Sequence, residues 1–331
     1  MQMDKQHDIY QPEYGIHSLS EDGHSKERIL KKLNFIMCLL AFALGSASSR
    51  ADANDADVSD SPNRNLTGFE GLNEQQPLWE VGVGGGMVEV PNYPASGETN
   101  SVALVLPYVI YRGDIFRLGG QGGARAVFFE KSDFEVDLSV SGAFSAESEA
   151  GSAREGMPEL DFMFEIGPQL IYKIKDYTFS GGGKARLNAR MQARAVFSTD
   201  FGRIDSRGYV FEPTIRYQQR GVFLPDTGFS LAARMTWGTE KLHDYFYQVS
   251  PEYVTVLRPA YDARGGYLGA EISTSLAFPI AKNLRGFLGA SVQLHHGSAN
   301  EGSPLYEEDI TYSFGVGFVW RAYQSEAKSN W

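Results

Sequence analysis

The stretch TYSFGVGFVW, residues 311–320, alternates along its whole length. Tyr312, Phe314, Val316, Phe318 and Trp320 fall on one face, and Thr311, Ser313, Gly315, Gly317 and Val319 fall on the other. Successive side chains of an extended chain point to opposite faces. A period of two therefore makes this a strand with one greasy side, whereas a 3.6-residue period would scatter the same residues around a helix.

The pattern recurs upstream. Leu268, Ala270, Ile272, Thr274, Leu276 and Phe278 oppose Gly269, Glu271, Ser273 and Ser275. Phe229, Leu231, Ala233, Met235 and Trp237 oppose Ser230, Arg234 and Thr236, and Phe162, Phe164, Ile166, Leu170 and Tyr172 oppose Glu165, Gln169 and Lys173. Twelve such segments can be drawn, roughly 78–90, 100–111, 114–119, 122–130, 133–143, 161–173, 184–198, 207–219, 228–238, 266–279, 284–296 and 309–322. The third and fourth are short, and ten is the alternative count. Most are near the ~9–11 residues that carry a tilted strand across a bilayer. With the first strand starting in the periplasm, the even-numbered connections should be tight and the odd-numbered ones free to be long. The breaks at 112–113, 131–132 and 280–283 are short and even-numbered, while 144–160, 239–265 and 297–308 are long and odd-numbered. Breaks 174–183 and 220–227, both even-numbered, are longer than the rule prefers. The fold class expected is all-β: an antiparallel up-and-down transmembrane β-barrel over 78–323, followed by a tail at 324–331.

A soluble sandwich also alternates. Three features favour the barrel. Aromatics stand near strand ends, as at Trp79, Tyr172, Trp237, Phe278 and Trp320, where an interfacial girdle would place them. The polar faces carry full charges, among them Glu135, Asp137, Glu165, Arg190, Arg194, Glu212, Arg216, Arg234 and Glu271, which an enclosed lumen could pair or hydrate. The third feature is an export signal. Lys26, Arg28, Lys31 and Lys32 precede a 12-residue apolar run, Leu33–Leu44, and small residues from Gly45 to Ser49 follow. Such a run is too short to span a bilayer as a helix and reads as a secretory signal within residues 1–53. Residues 54–77 are polar and read as a disordered periplasmic leader.

The one cysteine, Cys38, lies in the signal, so the exported chain is expected to carry no disulfide or thiolate site. Net charge is −11, which opposes nucleic-acid binding. Gly181-Gly182-Gly183-Lys184 suggests a phosphate loop, but Thr178 stands where the first Walker glycine belongs, so the stretch reads as a turn entering a strand. His243, His295 and His296 sit near Asp244 and Ser298 without a nucleophile elbow, so no catalytic residue is assigned. With no third ligand in view, neither metal nor cofactor is expected. Glu147, Glu149, Glu155 and Glu159 read as a solvated external loop.

Arg186, Arg190 and Arg194 share one strand face with Asn188 and Gln192, and Glu165 and Glu212 on neighbouring strands can face them. Together with Arg216, Arg234 and Glu271 they are the lumen-charge candidates, either an anion-selective constriction or an interior packed with ion pairs. The loop 239–265 is rich in tyrosine. Tyr245, Tyr247, Tyr253, Tyr261 and Asp262 form either a partner surface or an inward-folding plug.

The segment YFYQVSPEYVTVLRPAYDARGGY, residues 245–267, resembles the signature region of the MltA-interacting MipA/OmpV family of outer-membrane proteins. In those proteins a Tyr-Phe-rich strand end, a Pro-containing segment and a Pro-Ala-Tyr-Asp-Ala element precede a Gly-rich strand. Pro259, Ala260, Tyr261, Asp262 and Ala263 match that element, and Gly265 and Gly266 lead into the strand. VGVGGGMVEVPNYPAS at 81–96 and LPYVIYRGDIFRL at 106–118 match as well, so the resemblance covers about 78–322. The chain departs at its end, where eight residues follow Tyr323; Trp320, Tyr323 and Trp331 are the candidates for the terminal assembly aromatic. The resemblance implies the outer membrane of a Gram-negative bacterium, with lipid and lipopolysaccharide as neighbours. It also implies a non-enzymatic scaffold that brings a lytic transglycosylase to a penicillin-binding protein. A small solute channel with a charged lumen is the alternative, and a barrel hydrolase a distant third.

Overall fold

The computed structural model describes residues 76–118, 124–131, 133–143, 151–180, 183–221, 224 and 226–329. The expected signal peptide, the leader apart from Gln76 and Pro77, and Glu147, Glu149, Gly181, Gly182 and Trp331 lie outside the described residues. The strands are β1 (Trp79–Pro91), β2 (Thr99–Arg112), β3 (Phe116–Leu118), β4 (Ala124–Lys131), β5 (Phe134–Ala143) and β6 (Phe162–Thr178). They continue with β7 (Lys184–Thr199), β8 (Ile204–Arg220), β9 (Gly228–Gly238), β10 (Gly266–Ala281), β11 (Leu284–Leu294) and β12 (Ile310–Gln324). A short helix α1 (Glu240–Tyr247) and a 3-10 turn (Pro251–Tyr253) lie between β9 and β10.

Each strand pairs antiparallel with its neighbours in sequence, and β1 closes the ring on β12 from Glu80↔Gln324 to Glu89↔Phe314. The barrel therefore has twelve strands, not ten. No described helix is long and apolar enough to cross a membrane. The apolar face of each strand points outward: Phe314 is 58% exposed and Met191 52%, whereas Arg194 and Gln192 on the opposite faces are buried. Exposed side chains of this kind suit a hydrocarbon surround.

The strands outrun the apolar pattern. β6 and β8 each have 17 residues, so the breaks expected at 174–183 and 220–227 shrink to 179–183 and 221–227. Beyond the hydrocarbon an outward residue no longer needs to be greasy, as Lys175 opposite Leu187 shows, yet the hydrogen-bond ladder continues. At the other extreme β3 keeps only three residues.

Six register shifts interrupt the described ladders, and two of them re-aim side chains that matter here. The register shifts between Val81 and Gly82, where Gly82 faces Arg321 and Val81 faces Tyr323. The extra residue, Ala322, lets Trp320 and Tyr323 both face outward although they are three positions apart. A second shift, between Tyr267 and Gly269, turns Leu268 inward, where it is 7% exposed. Alternation alone had set Leu268 on the outward face with Ala270 and Ile272; the inserted residue reverses it.

Among the described residues the tight turns share one end of the barrel with Gln76 and Ser329, the first and last residues described. There the terminal segment runs back beside β1: the Leu78 amide donates to Ala327 O at 2.8 Å and the Ser329 amide to Gln76 O at 2.8 Å. Trp79 and Tyr323 meet at this end with ring centroids 5.0 Å apart and planes tilted by 33°, while Phe211, Trp237 and Tyr267 form a chain of rings spaced 6.2 and 5.6 Å toward the long-loop end. The two groups sit where a bilayer's two interfaces would fall.

Gly167 on β6 lies hard against the backbone of β7. A Cβ there would lie 2.1 Å from Ala193 O and 2.6 Å from Arg194 Cα. Gly167→Val should therefore sharply reduce the fraction that migrates as a folded barrel in an unboiled gel. Gly289→Ala, whose Cβ would meet nothing nearer than 3.8 Å, should leave that fraction unchanged.

Candidate functional site: a charged interior beneath a folded lid

Inward faces of β6 to β10 carry alternating charges at one level. Arg194 (β7) stands between Glu165 (β6) and Glu212 (β8): its Nε lies 2.8 Å from Glu165 Oε2, close but poorly aligned for a hydrogen bond, and its Nη2 contacts Glu212 Oε2. Arg234 (β9) continues the row, with Nη1 3.4 Å from Glu212 Oε1 and Nη2 donating to Glu271 Oε2 at 3.1 Å. Gln293 donates to the same Glu271 oxygen at 3.3 Å, and Thr311 donates to Gln293 Oε1 at 3.3 Å. The row thus spans seven strands: Arg234, Glu271, Gln293 and Thr311 stand directly opposite one another in register, while Glu165 to Arg194, Arg194 to Glu212 and Glu212 to Arg234 reach diagonally across it.

Nearer the tight-turn end the interior is packed. Arg125 and Arg117 both bind Glu135, Gln169 donates to Asp137 at 2.9 Å, and Arg112 pairs with Glu80 at 2.7 Å. Arg186 grips Asp176 with two contacts, 2.6 and 3.0 Å. Glu135, Asp137 and Gln218 are 0% exposed. Charges so deprived of water are held only by partners of opposite sign. Arg190 differs: among the described residues no carboxylate lies within 4 Å of it, and the charges acting on it include Arg216, Arg125, Arg194 and Asp137. Arg216 lies on β8 opposite Asn188, half-buried.

At the other end, four connections knit into a lid: 92–98, 151–161, 239–265 and 295–309. Its apolar centre gathers Tyr93, Leu160, Phe246, Tyr247, Val249 and Leu305 from all four, and Leu268 joins it through the β10 bulge. Buried guanidiniums hold the loops by their carbonyls. Arg258 donates to Ala153 O at 2.8 Å, Glu155 O at 2.9 Å and Tyr253 O at 3.0 Å, while Arg154 donates to Phe246 O and Pro158 O, each at 3.1 Å. Burial pushes the Tyr93 phenol well above its usual range, and nearby Glu307 adds to the shift.

The tyrosines of the long loop point into this lid. Tyr247 is fully buried and donates to Pro94 O at 2.8 Å; Tyr245 accepts the Asp161 amide at 2.6 Å and lies under the Arg207 guanidinium at 4.0 Å. Tyr253 packs half-buried on the apolar cluster, and Tyr261 donates to Asn300 Oδ1 at 3.3 Å. Asp262 stays exposed, as does Glu155. At the tip of this loop Val256 and Leu257 are almost wholly exposed.

Two histidines latch the lid to the strands. Asn300 Oδ1 accepts the Arg264 amide at 2.9 Å, which fixes the amide's orientation, so its Nδ2 donates to His243 Nδ1 at 2.6 Å. His243 Nε2 then donates to Gly266 O at 3.1 Å. His295 Nε2 accepts the Ala95 amide at 3.1 Å and lies 2.9 Å from Thr311 Oγ1. Each ring therefore has one nitrogen that must stay unprotonated. Burial lowers both pKa values, opposed by a backbone bond to Gly266 for His243 and, for His295, by one to Leu268 and the charge of Asp309. Among the described residues neither ring binds a serine hydroxyl. His296, Glu301 and Asp309 bring ligand atoms within 4.8 Å of one another, but all three are exposed. The latch histidines, Asn300, Arg154, Arg258 and Tyr93 carry no sequence signal of their role, since their partners come from distant loops. Lys184 simply opens β7 after the turn.

Between row and lid lies a cavity of about 410 Å³. Met163, Val210, Leu242, Phe246 and Leu268 form its greasy wall, and Asp161, Glu165, Arg194, Glu212, Arg234 and Glu271 its charged one.

A closed twelve-strand barrel with an apolar belt, a charged interior and long loops at one end defines a transmembrane β-barrel of the Gram-negative outer membrane. The sequence profile of the MltA-interacting protein MipA family matches residues 81–322, and the chain belongs to that family. No curated protein matches the chain. Among solved structures the chain is similar to the NanC porin at 9% identity and TM-score 0.32, covering 72% of this chain and 98% of that one. It is also similar to the loop-L8 deletion mutant of OmpT, an outer membrane protein of Vibrio cholerae, at 9% identity and TM-score 0.24, covering 74% and 99%. A bacterial polysaccharide outer membrane secretin matches at 8% identity and TM-score 0.28, covering 76% and 100%. Likenesses this slight carry no argument about function.

Arg194→Ala leaves Glu165 without its guanidinium. The cost expected for breaking a buried pair, about 3–5 kcal/mol, should appear as a lower urea midpoint for the vesicle-embedded barrel. The latches predict a pH effect of definite sign. A neutral, buried histidine gives the lid its full hold above the unfolded pKa of about 6.5, and that hold is lost as pH falls through the lower folded values. Protease cleavage within 239–265 should be slow at neutral pH and quicken below about 6.5. A His243→Gln, His295→Gln double variant should flatten that dependence; an unchanged profile would remove the latches as its cause.

Proposed function

We propose that this barrel is a non-enzymatic scaffold of the outer membrane, docking murein-remodelling enzymes at its tight-turn, periplasmic end. The description of its family, an MltA-interacting protein, is the observation that carries this reading. The partners are a lytic transglycosylase and a murein-synthesising penicillin-binding protein, while lipid meets the apolar belt and lipopolysaccharide the outer rim. The packed interior favours a surface role over transport, and the exposed turn residues Asp114, Asp133, Ser180, Asp226, Lys282 and Asn283 supply a surface for the murein side. A chain without cysteine after signal removal makes the test direct. A Lys282→Cys variant carrying a photo-crosslinker should capture the transglycosylase from intact envelopes, and Val256→Cys at the opposite end should not. Capture from neither end, or from the lid alone, would sink the scaffold.

One observation favours a channel as the second reading: Arg190, half-buried in the lumen with no carboxylate within 4 Å among the described residues. A steady conductance in planar bilayers, with a reversal potential shifted by Arg190→Ala, would support it. The scaffold reading expects no steady conductance.

A further inference from the structure

The cavity beneath the lid has two unlike walls and an excess of one charge. Four carboxylates line it, Asp161, Glu165, Glu212 and Glu271, against two guanidiniums, Arg194 and Arg234. Both guanidiniums are engaged by the row, and Glu212 is consumed by it, receiving Arg194, Arg234 and the Thr236 hydroxyl at 3.2 Å. Glu165 and Glu271 are used through one oxygen only: Oε2 of Glu165 meets Arg194, and Oε2 of Glu271 accepts from Arg234 and Gln293. Among the described residues their Oε1 atoms have no partner, and the two side chains keep 21% and 19% of their surface accessible. His295, also in the lining, holds the Ala95 amide through an unprotonated nitrogen and adds no positive charge in that state. Facing these oxygens is the greasy wall of Met163, Leu268 and Phe246.

We propose that this chamber binds a small amphipathic organic cation, its ammonium group set against Glu165 and Glu271 and its apolar body against Leu268, Met163 and Phe246. A carboxylate removed from bulk water gains most from a cation that donates hydrogen bonds directly, and the greasy wall rewards an apolar tail on the same molecule. An anion would meet the excess carboxylates; a hydrated inorganic cation would leave the apolar wall uncovered. The volume lies in the range of small-molecule sites, about 300–1,000 Å³, and admits a one- or two-ring amine. The inference does not depend on the scaffold reading, because the chamber lies under the lid, at the opposite end from the tight turns.

The test uses the full-length mature protein in lipid nanodiscs, titrated calorimetrically with tryptamine and, separately, with indole-3-acetate, which keeps the ring and reverses the charge. Heats from empty nanodiscs are subtracted. Tryptamine should bind saturably with one site per barrel, at least about ten-fold more tightly than indole-3-acetate. Glu165→Gln and Glu271→Gln, each nearly isosteric, should each weaken it by about ten-fold while the folded gel band persists. Leu268→Trp, which fills the chamber without touching its charge, should abolish binding, and Met163→Trp serves if that variant does not fold. No saturable binding, equal binding of both probes, or indifference to both glutamate substitutions would overturn the proposal.

Discussion

A backbone amide or carbonyl inside a bilayer finds no water, and each one left unpaired costs several kcal/mol. The pairing of β1 with β12, from Glu80↔Gln324 to Glu89↔Phe314, is therefore the contact on which the rest depends. Without it two strand edges would face hydrocarbon; with it the ring closes, its thinnest seam among the described residues being the two pairs that join β2 to β3. Closure sets the other demands. The first and last strands must meet, and the segment after β12 runs back beside Gln76–Trp79. Strands must approach closely at places where a side chain would not fit, as at Gly167.

Closure also creates an inside. Outward residues meet lipid and need only be apolar, but inward ones share a narrow enclosed space. A charge there is tolerated when its neighbour cancels it. That condition is met by Glu165, Arg194, Glu212, Arg234 and Glu271 on consecutive strands, the last two directly opposite in register and the others in diagonal contact. Toward the tight turns the interior is filled by such pairs. Toward the long loops it is not filled, and the lid spans the gap. The chamber is the space left between a polar row that cannot rise and an apolar lid that cannot descend past it.

The two ends consequently have different character. Short turns with exposed polar residues face one compartment, and a knit cap with its own buried centre faces the other. Buried guanidiniums, Arg154 and Arg258, give the cap its shape by collecting carbonyls that no strand can pair, while neutral His243 and His295 tie it to β10 and β12. The chamber belongs to the long-loop end.

Alternation in segments such as 311–320 was enough to locate the strands, because period two is a local property: each residue's face follows from its immediate neighbours and the solvent on either side. The twelve strands, their up-and-down order and the outward aromatics were legible for that reason, and the motif at 259–263 carried the family. Strand ends were less so, since past the hydrocarbon the ladder persists where the pattern stops, as in Lys173–Thr178. Leu268 was assigned to the wrong face because a bulge is an event between two strands, not within one. The lid was out of reach of sequence reading altogether. His243 and Asn300 are 57 positions apart and Arg154 and Phe246 are 92, and each pair meets only after the ring has closed. Whether the loop tyrosines would face in or out was decided by that closure, which alone brings four loops to one rim and gives their apolar side chains something to bury against.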